Sequence, residues 1–172
     1  MTEFERKFIV SDTAPSADWE WEDLAQGYLF GAYGYALRVR SAVRHDGHTT
    51  CTMTLKGPRS GLGRPEAEWE IPQPDASSLM ELTTGRIAKR RFTRHVDDLM
   101  WTVDVFAGDN EGLVLAEAEG PEASVAAVAL PDWVGEEVTQ DERYTNAALA
   151  AQPYRTWANP APGWSRPAGG AV

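Results

Sequence analysis

Polar and apolar residues alternate with a period of two along seven stretches of the chain, roughly 2–10, 27–41, 49–57, 65–71, 87–94, 100–106 and 112–119. Alternation of this kind, with β-branched and aromatic residues on one face and Gly, Pro or Asp between stretches, predicts half-buried strands. Helical signals are fewer. A helix is expected over 75–83 behind Asp75, and a second over 139–151, where Thr139-Gln140-Asp141-Glu142 has capping-box spacing. The Ala/Val-rich stretch 121–130, opening on Pro121, predicts a short third helix. Many short strands and few helices predict an α+β molecule, a closed or nearly closed antiparallel β-barrel with helices packed outside.

The alternation also sorts charge. Side chains two apart on a strand share a face, so Glu3, Glu5 and Lys7 lie opposite Phe4, Arg6 and Phe8. The same arithmetic groups Arg38 with Arg40, Thr52 with Thr54 and Lys56, and Arg64 with Glu66, Glu68 and Glu70. It then groups Lys89 with Arg91, sets Asp104 opposite Val103 and Val105, and groups Glu117 with Glu119. Wetting by solvent explains the polar face of any one strand. It explains the set less well, because solvent-facing positions usually mix residue types, whereas these divide into carboxylate strands and Arg/Lys strands. With the charged faces turned inward, the barrel interior becomes a tunnel whose like charges need counter-ions. A chain of phosphate oxygens satisfies the cations, and hard divalent cations such as Mg²⁺ or Mn²⁺ satisfy the carboxylates.

Composition narrows the class. With 172 residues, 42% of them hydrophobic, one core and one domain are expected. That domain is expected over 1–152, and 153–172, with four prolines and Gly169-Gly170, as an irregular tail tethered by Trp157 and Trp164. A net charge of −10 argues against a general nucleic-acid binder. The opening residues lack a signal-peptide pattern and no apolar run is long enough to span a bilayer, so a cytoplasmic protein without membrane partners is expected. The single cysteine, Cys51, reads as a small buried residue, and His45, His48 and His95 read as solvent-facing.

At the charged positions the sequence resembles the CYTH superfamily, the triphosphate tunnel metalloenzymes. The resemblance rests on Glu3-Phe4-Glu5-Arg6-Lys7, an E-x-E-x-K pattern, followed in the family's order by Gln26-Gly27-Tyr28-Leu29, Leu37-Arg38-Val39-Arg40, Thr54-Leu55-Lys56 and Arg64-Pro65-Glu66-Ala67-Glu68. Lys89-Arg90-Arg91, Val103-Asp104-Val105-Phe106 and Glu117-Ala118-Glu119 continue it. The stretch Pro131–Thr139, then Arg143-Tyr144 with Asn146, looks like the short bacterial members, so the resemblance covers about 1–151. Gly120-Pro121 departs from the pattern, and the last strand is expected to end early.

The resemblance implies metal-dependent hydrolysis of a triphosphate, tripolyphosphate first, with no covalent nucleophile. It implies metal ligation by Glu3, Glu5, Glu117 and Glu119, with Asp104 orienting a neighbouring base or touching the metal. Lys7, Arg38, Arg40, Lys56, Arg64, Lys89 and Arg91 are expected to hold phosphate. Glu66 and Glu68 are expected to hold a second metal or its water, and Tyr28 to position water or pair with Lys56. Thiamine triphosphate, nucleoside triphosphates, cyclase chemistry and a non-catalytic polyphosphate sensor remain rivals. The sensor is disfavoured because the carboxylates accompany the cations. A homodimer stays open as an assembly.

Overall fold

The computed structural model describes residues 2–10 and 18–158, with side chains from Phe4 onward. Nine strands form the frame: β1 (Thr2–Val10), β2 (Glu20–Ala32), β3 (Tyr35–Arg44), β4 (Thr49–Lys56), β5 (Gly63–Glu70), β6 (Arg86–Val96), β7 (Leu99–Ala107), β8 (Val114–Glu119) and β9 (Val134–Glu137). They pair in the order β5-β4-β3-β2-β6-β7-β8-β1-β9, all antiparallel, and β1 also pairs with β5. Eight strands therefore close into a barrel. β1 closes it, since its first half bonds β5 while Glu5 to Ile9 bond β8. Past Phe8, β9 takes up the edge that β5 has left. This is the expected barrel, with β9 as an extra strand.

The stretch 27–41, read as one strand, is a hairpin. Tyr33 (φ 53°) and Gly34 (φ 79°) form its two-residue turn between Ala32 and Tyr35, which are register partners. The usual Asn-Gly or Asp-Gly signal is missing, because a tyrosine takes the first left-handed position. β2 also starts at Glu20, seven residues before the expected boundary. Gly27 lies where the outer face of β2 meets Thr83; a Cβ there would come within 2.6 Å of the Thr83 methyl carbon.

The apolar faces turn outward and are covered piecewise. Phe8, Trp101, Val103, Ala116 and Ala118 pack with Trp19, and Trp133 meets Trp19 and Trp101 edge-on at 6.0 and 5.5 Å. α1 (Gln73–Glu81) covers Val39 and Cys51 through Ala76, so Cys51 is buried as expected. α2 (Glu122–Ala126) packs against β1, and β8 stops at Glu119 just before Gly120. The expected helix over 139–151 is shorter: a 3₁₀ turn spans Glu142–Tyr144, and α3 (Asn146–Ala151) begins behind a Thr145 cap accepting from Ala148 N at 3.2 Å. Asp141 caps the 3₁₀ turn, accepting the Arg143 backbone N–H at 3.0 Å, while the Thr139 hydroxyl accepts from Lys7 N and donates to Glu137, so the capping-box reading fails.

Inward faces are not charged throughout. Continuing past the charged positions, they present Ile9, Ile87, Phe106 and Leu115, which pack with Leu113, Val138 and Leu149 of α3. Trp157 sits edge-on to Tyr144 and Tyr154 at 5.3 and 5.1 Å, holding residues through 158 on this cluster. The rest of the expected tail, Trp164 included, lies outside the described residues. No helix among the described residues is long and apolar enough to cross a membrane.

Candidate active site

The inward charges enclose a cavity of about 260 Å³. Of the expected residues, Glu5, Lys7, Tyr28, Arg38, Arg40, Lys56, Arg64, Glu66, Glu68, Arg91, Glu117 and Glu119 line it. The Glu3 side chain lies outside the described residues; its Cα is the register partner of Arg64. Lys89 is placed differently from expectation, while Asp104 holds the two bases beside it, Lys89 and Arg91. Neither lines the cavity: they are 3% and 1% exposed, behind Arg91, in contact with each other at 2.5 Å. The Lys89 ammonium sits 5.1 Å from the centre of the Phe106 ring, at the apolar end of the inward face. Glu70 is exposed beyond the lining, and the three histidines face solvent as expected.

One wall is internally paired. Glu117 accepts from Lys7 Nζ at 2.6 Å and from Arg91 Nη2 at 3.1 Å, and Asp104 accepts a bidentate pair from Arg91 at 2.7 Å. Burial alone would raise the Glu117 carboxyl, but Lys7 and Arg91 outweigh it and hold the group well below the usual carboxylate range. Burial likewise opposes the charge on Lys7, and Glu117 with Glu5 reverses the sign, so its affinity for the proton is raised. Lys89 differs. Burial lowers its proton affinity, and Arg91, which already compensates Asp104, adds repulsion.

The opposite wall leaves charge over. Arg40 donates from Nε and Nη2 to the neutral Gln26 Oε1 at 3.3 and 3.1 Å and, among the described residues, forms no ion pair. Burial pulls its guanidinium down to about 9, with Arg38 and Arg91 adding repulsion, so it stays charged at neutral pH at an electrostatic cost. Arg38 donates to Thr54 at 2.8 Å and to the part-exposed Glu68 at 3.1 Å, while its Nε is buried with no acceptor among the described residues. Tyr28 accepts from Gln26 Nε2 at 3.2 Å, and burial raises its phenol. Lys56 and Glu66 pair at 2.5 Å. Arg64 is fixed from behind by the carbonyls of Gly57 (2.6 Å) and Gly34 (3.2 Å).

Three contributors carry no assigned role in the sequence reading, although Gln26 and Asn146 stand in the stretches that resemble the family. Arg59, in the β4–β5 connection, is ion-paired with Glu5. Asn146, at the start of α3, lines the cavity and accepts from Lys89 at 3.1 Å. Gln26 lies behind the lining. A loop residue such as Arg59 has no strand alternation to mark it, whereas starting β2 at Glu20 would have put Gln26 on the inward face with Tyr28.

The carboxylates here are all hard oxygen donors. Glu5 and Glu119 are register partners on β1 and β8, both on the cavity surface. No group of three potential ligands is assembled among the described residues. The donor chemistry suits a hard divalent cation.

The CYTH domain model matches residues 1–149. The chain belongs to the CYTH family. It is 38% identical over 157 residues to an inorganic triphosphatase of Acetivibrio thermocellus, covering 90% of this chain and 97% of that protein. It is 39% identical to an inorganic triphosphatase of Nitrosomonas europaea, covering 87% and 97%. The crystal structure of an inorganic triphosphatase superposes with a TM-score of 0.63 at 37% identity, over 87% of this chain and 95% of that one. A putative adenylate cyclase from Bacillus halodurans, at 17% identity and a TM-score of 0.53 over 72% and 83% of the two chains, shares the fold alone. Membership in the CYTH family implies a divalent metal.

Proposed function

We propose that this CYTH protein hydrolyses inorganic tripolyphosphate to pyrophosphate and phosphate. The observation that carries the reading is the charge of the cavity. Its lining holds seven Lys or Arg side chains (Lys7, Arg38, Arg40, Lys56, Arg59, Arg64, Arg91) against five carboxylates (Glu5, Glu66, Glu68, Glu117, Glu119), two positive charges in excess. The chain as a whole carries −10. Such a concentrated cationic excess, interspersed with carboxylates, suits a small polyanion accompanied by a metal ion. The two relatives above, both inorganic triphosphatases, support the same substrate.

In this reading Arg38 and Arg40 grip phosphate oxygens with paired N–H donors, while Lys7, Lys56, Arg64 and Arg91 act as fixed positive charges. Glu5, Glu119 and Glu3, with Glu117 beside them, would hold Mg²⁺ or Mn²⁺. When bound, the cation supplies charge screening on the phosphate oxygens. Glu66 and Glu68 orient the attacking water, and Tyr28 donates its hydroxyl to a phosphate oxygen. Water oxygen bonds the terminal phosphorus in line as the anhydride bond breaks, and the leaving pyrophosphate stays against the arginines. Little proton abstraction is needed early, because the transition state is loose. Lys89 and Asp104 act from behind by fixing Arg91.

An organic triphosphate is the second reading. A depression of about 830 Å³ between the β2–β3 turn and α3, lined in part by Phe30 and Tyr35, shares Tyr28, Arg59 and Arg64 with the cavity and could seat a flat group. Phosphate release from tripolyphosphate, ATP and thiamine triphosphate, with Mg²⁺ and Mn²⁺ and a parallel cyclic-AMP measurement, decides between them. Tripolyphosphate is expected to give the highest kcat/KM. A higher value for either organic substrate, or cyclic AMP as product, overturns the first reading.

A further inference from the structure

Gln26 is fully buried, off the cavity surface, yet bonded to two residues that line it. Its Oε1 accepts both Arg40 bonds, and its Nε2 donates to the Tyr28 hydroxyl at 3.2 Å. We infer that Gln26 is a positioning residue for substrate: a neutral acceptor that fixes Arg40 without cancelling its charge, and a donor that turns the Tyr28 hydroxyl proton toward the cavity. The inference rests on Arg40 binding phosphate.

The argument turns on what a glutamine does that a carboxylate does not. A buried guanidinium needs acceptors, and an unmet buried donor is costly. On the other wall carboxylates meet that need, as Asp104 does for Arg91, and the positive charge is consumed inside the protein. On β2 the carboxamide oxygen meets it instead. The geometry is set while the net charge remains, so Arg40 is held in place and still attracts an anion. The amide also has a direction. With Oε1 committed to the guanidinium, only the NH₂ group faces Tyr28, so the phenolic oxygen accepts and its own proton is free for a second partner. Register supports the placement, because Gln26 and Arg40 are Cα partners on adjacent strands and Tyr28 follows on the same face of β2.

Gln26→Glu tests this with almost no change of shape. The new carboxylate would pair with Arg40 and accept from Tyr28, withdrawing both donors from the cavity. Tripolyphosphate binding, measured calorimetrically with the metal chelated away, is expected to weaken about tenfold or more, with KM rising in parallel and kcat changing less. The melting temperature should stay level or rise. Arg40→Ala serves as the reference. If Arg40→Ala weakens binding and Gln26→Glu binds like wild type, the positioning role is overturned while the role of Arg40 stands. If Arg40→Ala binds normally, the underlying reading fails and takes this one with it. Should Gln26→Glu not fold, Gln26→Met decides: losing the acceptor must weaken tripolyphosphate binding several-fold, and unchanged binding overturns the inference.

Discussion

The two walls of the cavity use the same residue types to opposite ends. On the β1–β8–β7–β6 side, Lys7, Arg91 and Lys89 share Glu117 and Asp104 in a closed, almost wholly buried network. On the β2–β3 side, Arg40 is held by a neutral amide, and Arg38 by a hydroxyl and a carboxylate that is 42% exposed. The first wall has met its electrostatic needs within the fold. The second leaves Arg40 without a carboxylate partner among the described residues. Where a charge finds its partner thus separates cations compensated by buried carboxylates from a cation held by a neutral amide.

Removing the shared carboxylate should break the contrast most violently. Glu117→Ala strands Lys7 in the interior and removes one of Arg91's two carboxylates, and is expected to cost about 3–5 kcal/mol in urea unfolding. A loss below about 1 kcal/mol would mean that this wall is no more self-sufficient than the other.

Arg40→Ala should do the reverse. Deleting a buried cation repelled by Arg38 and Arg91 should leave the melting temperature unchanged or higher, while kcat/KM for tripolyphosphate falls about tenfold or more, one to two charge-assisted hydrogen bonds' worth. A variant that melts earlier and keeps its kinetics would show that Arg40 is structural after all.

Glu5→Gln and Glu119→Gln sharpen the division of labour within the cavity. Each keeps shape and deletes one negative charge, so the Mg²⁺ concentration for half-maximal activity should rise about tenfold with the fold intact. Wild-type metal dependence in both would remove these residues from the ligand set.

The smallest effect is in acid. The Glu117 carboxyl lies below its ordinary value of 4.5 in the folded protein, so its contribution to stability is complete above 4.5 and drains away as pH falls below it. Glu117→Gln should therefore flatten the loss of stability on acidification below about 4.5. Identical acid slopes in the two proteins would contradict the assignment.

Much of this was readable from the chain because a barrel strand obeys a period of two. Alternation placed Glu5, Lys7, Arg38, Arg40, Lys56, Arg91, Glu117 and Glu119 on one side, and they share one cavity. What alternation cannot report is depth along the axis. Lys89 and Arg91 share a face of β6, yet Lys89 lies one step nearer the apolar end and is walled off by Arg91 and Asp104. Turn chemistry hid the β2–β3 hairpin, since Tyr33 adopts a conformation usually left to glycine or asparagine. The loss of β2's first half then hid Gln26. β9, four residues long with a central glycine, carries too little pattern to be seen without its partner β1.

The closing strand has a consequence for how the molecule is made. β1 is the first of the described strands to be synthesised, but its partners are among the last: Lys7 meets Glu117 across 110 residues and Thr139 across 132. Loop closure over such separations is slow, so the hairpins β2–β3 and β6–β7 have time to form first. Until β8 arrives, Glu5 and Lys7 have no wall to face. Closure of the barrel and assembly of the site are then one kinetic event, and in refolding from urea, catalytic activity should return in the same phase as burial of Trp101, with no separate maturation step.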